Sequence, residues 1–467
     1  MQPLLDVVVE APAEEEAAHA RRTLGLAGLA VLVTFLDTTV LFVAFPDITA
    51  SFPDAAPSSL SWVLNAYTIA FAALLIPAGK LADRVGHKRM FLLGSLLFTG
   101  ASLACALAPT VGVLVAFRVV QAVGAAFLVP SSMALVLRAV PPERVPVALA
   151  IWGAMGAAAG AVGPTIGALL VEAASWRWVF VINLPAGVLT VVAGRRHLRE
   201  SADPETRVPA LLGAVLIAAA AALVSLAVVQ GDEWGWVDAR TVGAAALGLL
   251  VLALFVAHQA RTSAPALDLS LLRIRNFAWA NATTFAFGVG FTAMFFGSFL
   301  FLTEVWRWSV LRAGLGISPG PLLVAVLAPQ MGRLTARIGQ RPLLVAGGLC
   351  FAAAGVIRSV VLGPEPDYLV DYLPTMLLTG LAVALCFPQM ASATAQSLPP
   401  NRLGVGGAVN QAVRQLGGTI GVALTIALIG TPLGLADAVA HFDRVWAVLV
   451  VSGFLTSLCA LPLRTRR

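Results

Sequence analysis

Apolar runs of about 20 residues recur from one end of this chain to the other, and they constrain its fold more than any other feature. A helix needs about 20 residues to cross ~30 Å of hydrocarbon. Hydrophobic residues make up 59% of the 467 residues and charged residues only 12%, which is too apolar for a water-soluble fold of this length. We therefore predict an all-α integral membrane protein whose fourteen transmembrane helices centre near Val33, Ile69, Leu97, Val123, Gly156, Leu184, Ile217, Leu250, Phe287, Leu322, Phe351, Leu385, Gly418 and Ser452.

The loops between these runs carry an uneven distribution of basic residues. With the N-terminus inside, 22 of the 30 Lys and Arg residues fall on the inner side and five on the outer side, and Arg118, Arg358 and Arg414 fall within spans. Lys and Arg concentrate in cytoplasmic loops, so we expect a multi-pass protein of the cytoplasmic (inner) membrane with both termini in the cytoplasm. The formal charge of +6 is spread over short loops, so nucleic acid is not an expected partner.

An internal repeat divides the chain. Residues Gly79 to Lys88 and Gly332 to Arg341 share Gly, basic, Leu, Arg, aliphatic, Gly and basic positions at the same offsets. Duplicated helical halves are a common plan for transporters. The predicted organisation is a cytoplasmic tail (1–22), a six-helix half (23–195), a cytoplasmic linker (196–208), a two-helix insert with the following loop (209–276), a second six-helix half (277–463) and a short tail (464–467).

The residues that enzymes and ATP-driven pumps use are scarce. All five histidines lie in tails, loops or helix ends, and the four cysteines lie in apolar runs without a CxxC or Cys/His metal spacing. No GxxxxGK[ST] phosphate-binding loop is present. We therefore expect no enzyme activity, no metal and no cofactor, and an ion gradient as the energy source.

Six motifs occur in order on the expected helices. They are the loop Gly79 to Arg89; Leu36 to Val40 with Pro46; Arg118 to Gln121 with Gly124; Gly156, Gly160, Gly163, Pro164 and Gly167; Trp176 to Phe180 with Asn183 and Pro185; and Gly406 and Asn410 with Arg414 to Gly418. Over roughly Leu24 to Leu463, the chain resembles the major facilitator superfamily in its fourteen-helix drug:proton antiporter branch. It departs from the family pattern at Phe42, Ala122 and Ala336.

That resemblance implies a fold and a function. The implied fold is a major-facilitator-type bundle of two six-helix halves around a central cavity, with the two-helix insert between them. The implied function is proton-coupled antiport that exports small amphipathic compounds such as drugs or antibiotics by alternating access. The expected partners are this substrate, protons and the lipid bilayer, and we expect a monomer. A proton-coupled transporter of one specific metabolite is the alternative, and a membrane-embedded enzyme or sensor is a more remote one.

Two opposite charges are predicted at the same membrane depth. Asp37 lies about 20 Å from the inner face of the ~30 Å hydrocarbon core, and Arg118 lies about 12 Å from its outer face. The two charges are therefore at nearly the same depth. Charges within a membrane pair with one another or face water. We predict that Asp37 is the proton-coupling carboxylate and that Arg118 tunes it; a static structural salt bridge is the alternative.

The first copy of the repeated loop is a candidate cytoplasmic gate. Its predicted gate residues are Gly79, Asp83, Arg84, Gly86, Lys88 and Arg89. Glycines at 79 and 86 permit a tight turn, and an arginine can bind a carboxylate through two hydrogen bonds. Glu143 in the next cytoplasmic loop is a candidate partner. The alternative is that these basic residues only enforce topology.

Glycines recur at spacings of three or four in the fifth helix, at Gly156, Gly160, Gly163 and Gly167 with Pro164 among them. Such a face lets helices approach closely, and the proline can kink the helix. The resemblance implies a flexible seal between the halves, with ordinary packing as the alternative.

Four polar residues are candidates for the substrate site or cavity: Gln121, Asn410, Arg414 and Glu304. Arg414 is in mid-span and needs a partner or a cavity. Glu304 lies at the outer end of its helix, where it either receives cationic substrates or is solvated. Four aromatic residues are candidates to line an apolar pocket, with a lipid-facing or packed position as the alternative: Trp62, Tyr67, Phe291 and Phe295.

Overall fold

The computed structural model describes residues 3–141, 144–203, 211–262, 265, 267–398, 403–430 and 432–464. All regular structure in these ranges is helical. The α-helices are α1 (Pro3–Ser51), α2 (Pro57–Val85), α3 (His87–Ala106), α4 (Val111–Ala139), α5 (Val145–Ala173), α6 (Trp178–Val181), α7 (Asn183–His197), α8 (Leu211–Trp234), α9 (Ala239–Arg261), α10 (Arg275–Leu300), α11 (Val310–Ile317), α12 (Pro319–Ile338), α13 (Gln340–Val361), α14 (Leu373–Gln396), α15 (Leu403–Ile429) and α16 (Leu435–Ala460). Short 3₁₀ and π segments cover Leu269–Arg273, Phe301–Val305 and Tyr368–Tyr372.

The predicted all-α membrane fold is confirmed. Among the described residues, 13 helical segments are long and apolar enough to cross a membrane. The remaining predicted span, centred near Gly156, falls in α5, which is 29 residues long and whose side chains are described only in part. Two spans are each built from two helices, α6 with α7 and α11 with α12.

Local sequence explains several helix boundaries. The Thr110 hydroxyl accepts a hydrogen bond from the Val113 amide at 3.3 Å, and Ser309 does the same for Arg312 at 3.2 Å, so each satisfies a free amide at a helix start. Gly86 and Gly339 occupy equivalent positions in the two loop copies, with φ of 121° and 82°. Positive φ favours glycine, so the sequence repeat is also a repeat of backbone conformation.

The two halves repeat the same helix contacts. In the first half α1 packs on α5, α2 on α4, and α3 on α4 and α7. In the second half α10 packs on α15, α12 on α14, and α13 on α14 and α16. The halves meet at two seams, one where α2 packs on α15 and one where α5 packs on α11 and α12. The two seams are equivalent, because the repeat relates α2 to α12 and α5 to α15.

The two additional helices break this symmetry. Helix α8 packs against both α2 and α15, while α9 packs mainly on α8. The Ser58 hydroxyl on α2 donates a hydrogen bond to the Glu233 carboxylate on α8 at 3.1 Å. Helix α8 therefore covers one of the two seams between the halves. The predicted boundaries of tails, linker, insert and halves stay a prediction.

Candidate functional site

Asp37 and Arg118 form an ion pair inside the first half. Arg118 Nη1 donates to Asp37 Oδ2 at 2.5 Å, and the side chains are each 1% exposed. Helices α1 and α4 thus bring the two charges into direct contact. Arg118 also donates from Nε to the Val63 carbonyl at 3.1 Å and lies 4.1 Å from the ring centroid of Tyr67. The guanidinium is therefore held between α1, α2 and α4.

Two amides complete the hydrogen bonding of Asp37. Gln121 Nε2 on α4 and Asn183 Nδ2 on α7 each donate to Asp37 Oδ1 at 2.8 Å. Both amides also donate to the Ser102 hydroxyl on α3, at 2.8 and 3.3 Å. Asp37, Arg118, Gln121, Asn183 and Ser102, called here the Asp37 network, are all buried. An ionised carboxylate accepts hydrogen bonds only, and here it has three donors.

Part of this network is absent from the sequence prediction. Ser102 belongs to none of the six motifs, and the sequence predicts Gln121 for the substrate site rather than as a partner of Asp37. Asn183 was part of a motif without a role. Tyr67, a candidate for the aromatic pocket, is 1% exposed and packed on Arg118. The helix contacts that bring these side chains together leave no pattern along the chain.

The loop between α2 and α3 is bound by a residue that sequence reasoning did not identify. The Glu200 carboxylate accepts hydrogen bonds from the backbone amides of Lys88 at 3.0 Å and Arg89 at 3.1 Å. An acidic group is favourable there because the amides at a helix N-terminus lack partners. Lys88 Nζ donates to the Arg195 carbonyl at 2.9 Å. The predicted partner Glu143 lies outside the described residues.

The predicted turn at Gly79 is wrong. Gly79 lies within α2, where it faces Pro130 of α4, so it serves helix contact. The turn is at Gly86 alone, and the Glu200 carboxyl carbon lies 2.5 Å from where a Cβ would be. Asp83 pairs with Lys80 at 3.9 Å and lies 3.4 Å from the His87 ring nitrogen. The side chain of Arg84 is exposed.

The glycine face of α5 packs on α1, within the first half. A Cβ at Gly156 would lie 3.2 Å from Phe35, and one at Gly167 would lie 3.0 Å from Val40. A Cβ at Gly163 would overlap Thr39, whereas Gly160 has nothing within 4 Å. Close packing on a neighbouring helix of the same half thus explains three of these four glycines.

The other face of α5 meets the second half. A Cβ at Gly314 on α11 would lie 2.8 Å from the Pro164 carbonyl oxygen. The Thr165 and Ser318 hydroxyls are 2.8 Å apart. We call the face where α2 ends at Val85 and α16 at Ala460 the terminal face, and the other the opposite face. These contacts lie closer to the opposite face than to the terminal face. The Glu172 carboxylate also accepts a hydrogen bond from the Leu311 amide there, at 3.1 Å.

The four candidate cavity residues separate in the structure. Gln121 belongs to the Asp37 network, and Asn410 donates to Thr284 and Thr394 at 2.8 and 3.0 Å inside the second half. Glu304 lies in the π-helical turn Phe301–Val305 and is partly exposed. Arg414 is partly exposed at the middle of α15, where its guanidinium carbon lies 5.6 Å from the Phe35 ring centroid and 5.3 Å from that of Phe387.

Aromatic rings surround this position from both halves. Phe291 stands at 87° to Phe387 with ring centroids 5.0 Å apart, and both side chains are partly exposed. Phe295 is buried and contacts Phe42 across the halves at 5.9 Å. A cavity of about 460 Å³ at the terminal face of the second half is lined by Arg275, Gln340 and Gln396 among others, and by none of the candidate site residues.

Comparison with known proteins identifies the family. The family model of the Major Facilitator Superfamily matches residues 27–422. The chain is 33% identical to the multidrug resistance protein Stp of Mycobacterium tuberculosis over 423 residues, covering 90% of this chain and 78% of the relative. The chain belongs to the major facilitator superfamily. Its resemblance to this superfamily, predicted from the six motifs, is confirmed.

Other major facilitators are similar at the same level. The chain is 33% identical to the cephamycin export protein CmcT of Amycolatopsis lactamdurans, covering 96% of this chain and 92% of that protein. It is 32% identical to the methylenomycin A resistance protein of Streptomyces coelicolor, covering 83% and 81%. A D-xylose-proton symporter structure superposes with a TM-score of 0.66 at 15% identity over 94% of this chain and 96% of that one, which shows the shared fold.

Membership in this superfamily makes the chain a membrane transporter. The prediction that it is not an enzyme is therefore confirmed. The superfamily also accounts for the repeated helix contacts, since each half is one copy of the duplicated unit. The roles of the individual site residues stay predictions.

Proposed function

We propose that this major facilitator exports small amphipathic organic compounds across the cytoplasmic membrane in exchange for protons, by alternating access. The observation that carries the proposal is the Asp37 network: a carboxylate 2% exposed, within the membrane-spanning part of α1, and held by Arg118, Gln121 and Asn183. Relatives named for drug resistance and antibiotic export support the direction and class of cargo.

A buried carboxylate suits proton coupling because its charge is costly without its donors. Carboxylates within membranes are rare and mark proton or substrate pathways. Protonation of Asp37 removes the charge that binds Arg118, so it weakens the contact between α1 and α4. Substrate binding and proton binding then favour different arrangements of the first half, which is the differential affinity that coupling requires.

The contacts between the halves support alternating access. The Thr165–Ser318 and Glu172–Leu311 contacts close the bundle toward the opposite face. With the basic terminal face in the cytoplasm, this structure is closed to the outside. Release of cargo requires these contacts to break while contacts near the terminal face form, and the loop at Gly86 and Glu200 lies where that change occurs.

Energy and partners follow from the same scheme. Each proton that crosses the full potential supplies about 2.3 kcal/mol per 100 mV. We propose that the proton gradient is the energy source, without a cofactor, and that the functional unit is a monomer in the bilayer. Both termini are proposed to lie in the cytoplasm.

The proposal is tested in proteoliposomes with an imposed pH gradient. Movement of three fluorescent aromatic probes, one cationic, one anionic and one neutral, is measured for the wild type and for Asp37→Asn. The gradient is expected to drive at least one probe in the wild type. In Asp37→Asn, which keeps the side-chain shape but not the titrating group, the drive is expected to be lost.

Asp47→Asn is the matched control. Asp47 is also on α1, near its end at the opposite face, and its side chain is partly exposed. This variant is expected to transport as the wild type does. Gradient-driven transport that persists in Asp37→Asn would contradict the assigned role of Asp37, and gradient-independent transport in the wild type would contradict antiport.

A further inference from the structure

Three arginines lie within the spans, and they differ in what binds their charge. Arg118 is paired with Asp37. Arg358 is 0% exposed, donates to Ser298 at 2.7 Å and Thr375 at 3.2 Å, and lies 4.9 Å from the Trp446 ring centroid, so polar and aromatic side chains enclose it. Arg414 is partly exposed, and its hydrogen bonds within the described residues go to Gln411 alone.

Arg414 and Gln411 together present donors without acceptors. Arg414 Nε and Nη2 both donate to Gln411 Oε1, at 3.2 and 2.6 Å. The amide therefore turns its Nε2 away, and that buried donor has no partner among the described residues. Gln411 thus holds the guanidinium and places its own unpartnered donor beside it. A buried donor without an acceptor is costly, so this pair favours a ligand that accepts hydrogen bonds.

The position of the pair places it at the meeting of the two halves. Arg414 lies about 17 Å along α15 from its start, near mid-span. Phe35 belongs to α1 of the first half and Phe387 to α14 of the second, and both rings flank the guanidinium. Phe35, Phe291, Phe387, Gln411 and Arg414 are all partly exposed although they lie inside the bundle. The three rings pack against the hydrophobic core, and all five side chains keep some accessible surface at the seam between the halves.

We propose that Arg414 and Gln411 bind the anionic group of the cargo, so that this transporter carries amphipathic organic oxyanions, carboxylates or sulfonates, in preference to cations. The inference rests on the proposed function and names its substrate class. A guanidinium binds a carboxylate or sulfonate through two parallel hydrogen bonds. The aromatic part of the same compound then packs on Phe35, Phe291 and Phe387. A cationic compound would instead meet an uncompensated positive charge.

Binding of two permanently charged probes tests the inference without a gradient. The probes are pyrene-1-sulfonate and (1-pyrenylmethyl)trimethylammonium, which share a ring system and differ in the sign of charge. Their affinities for the purified full-length protein are measured from pyrene fluorescence. The wild type is expected to bind the sulfonate about tenfold or more tightly than the ammonium probe. Equal affinities, or a preference for the ammonium probe, would overturn the inference.

Substitutions then locate the preference. Gln411→Glu keeps the size of the side chain and places a carboxylate against Arg414, so the sulfonate preference is expected to disappear. Arg414→Gln is expected to do the same, and Arg414→Lys to retain part of it. Arg261→Gln removes the same charge from the exposed end of α9 and is expected to change nothing. A preference that survives both Gln411→Glu and Arg414→Gln would overturn the assignment.

The two proposals fail differently. If the wild type shows no gradient-driven transport but prefers the sulfonate probe, proton antiport is contradicted and the anion site is still supported. Gradient-driven transport of the ammonium probe, with no preference for the sulfonate, would support antiport and overturn the anion site. Size-exclusion profiles and melting temperatures show whether each variant is folded, and Gln411→Glu decides the matter if Arg414→Gln does not fold.

Discussion

At the scale of single residues, the Asp37 network shows what sequence can and cannot place. The helical rise of about 1.5 Å per residue was enough to put Asp37 and Arg118 at one depth, and they are in contact. Gln121, Asn183 and Ser102 join them through side-by-side contacts of four helices. Those contacts depend on how each helix is rotated about its own axis. A single sequence with weakly amphipathic helices does not reveal that rotation.

Gln121→Met tests whether the network stabilises the fold. The variant keeps the volume but removes a donor to Asp37 and an acceptor for Arg118, both buried. We expect the free energy of unfolding to fall by about 1–3 kcal/mol, because buried charged groups lose partners. Thermal unfolding in detergent measures the change.

Gln396→Met provides the control for that substitution, since Gln396 is exposed at the terminal face. It is expected to leave the melting temperature nearly unchanged. Equal melting temperatures for Gln121→Met and the wild type would show that the network contributes little to stability.

At the scale of helices, the repeated loop was predictable and the helix faces were not. The two copies of the loop adopt positive φ at equivalent glycines because the sequence repeats there. The role of Gly79 in helix contact, and the capping of α3 by Glu200, have no such signal. The glycine face of α5 was expected to seal the halves, yet it packs on α1, and Pro164 with Thr165 makes the contact between the halves.

Gly163 and Gly160 form a matched pair on α5. Gly163→Ala places a methyl group against the Thr39 side chain, whose Cβ lies 2.8 Å from that position, whereas Gly160→Ala meets open space. We expect Gly163→Ala to cost about 1–3 kcal/mol from overpacking. Gly160→Ala is expected to be neutral or slightly stabilising because alanine favours a helix.

Melting temperatures and transport rates of the two variants measure the difference. Gly163→Ala combined with Thr39→Ala is expected to recover part of the loss, since the smaller side chain makes room for the methyl group. Equal behaviour of the two single variants would contradict the packing of α5 on α1.

At the scale of the whole molecule, two kinds of contact join the halves. Near the opposite face, Thr165 lies beside Ser318; near mid-span, the Thr419 hydroxyl donates to Thr68 at 2.8 Å. In the proposed alternating-access cycle, contacts of the first kind separate, while the mid-span contacts stay near the axis of the motion. The two-half plan was evident from the repeat. The face at which the halves are closed was not evident, because the two states of the proposed cycle share one sequence.

Paired cysteines distinguish the two contacts. A disulfide between Thr165→Cys and Ser318→Cys is expected to abolish transport, because it prevents opening at the opposite face, and reduction is expected to restore it. A disulfide between Thr68→Cys and Thr419→Cys is expected to retain a substantial part of the activity. Full transport with the first pair oxidised would contradict alternating access through this face.

Proton and probe fluxes measured together in one set of proteoliposomes test proton-coupled antiport most directly. An outward gradient of pyrene-1-sulfonate is imposed without a pH gradient. An internal pH indicator then measures proton movement, and pyrene fluorescence measures movement of the probe. We expect protons to move in the direction opposite to the probe, and we expect this coupled flux to vanish in Asp37→Asn. Protons moving in the same direction as the probe, or probe movement without protons, would contradict proton-coupled antiport.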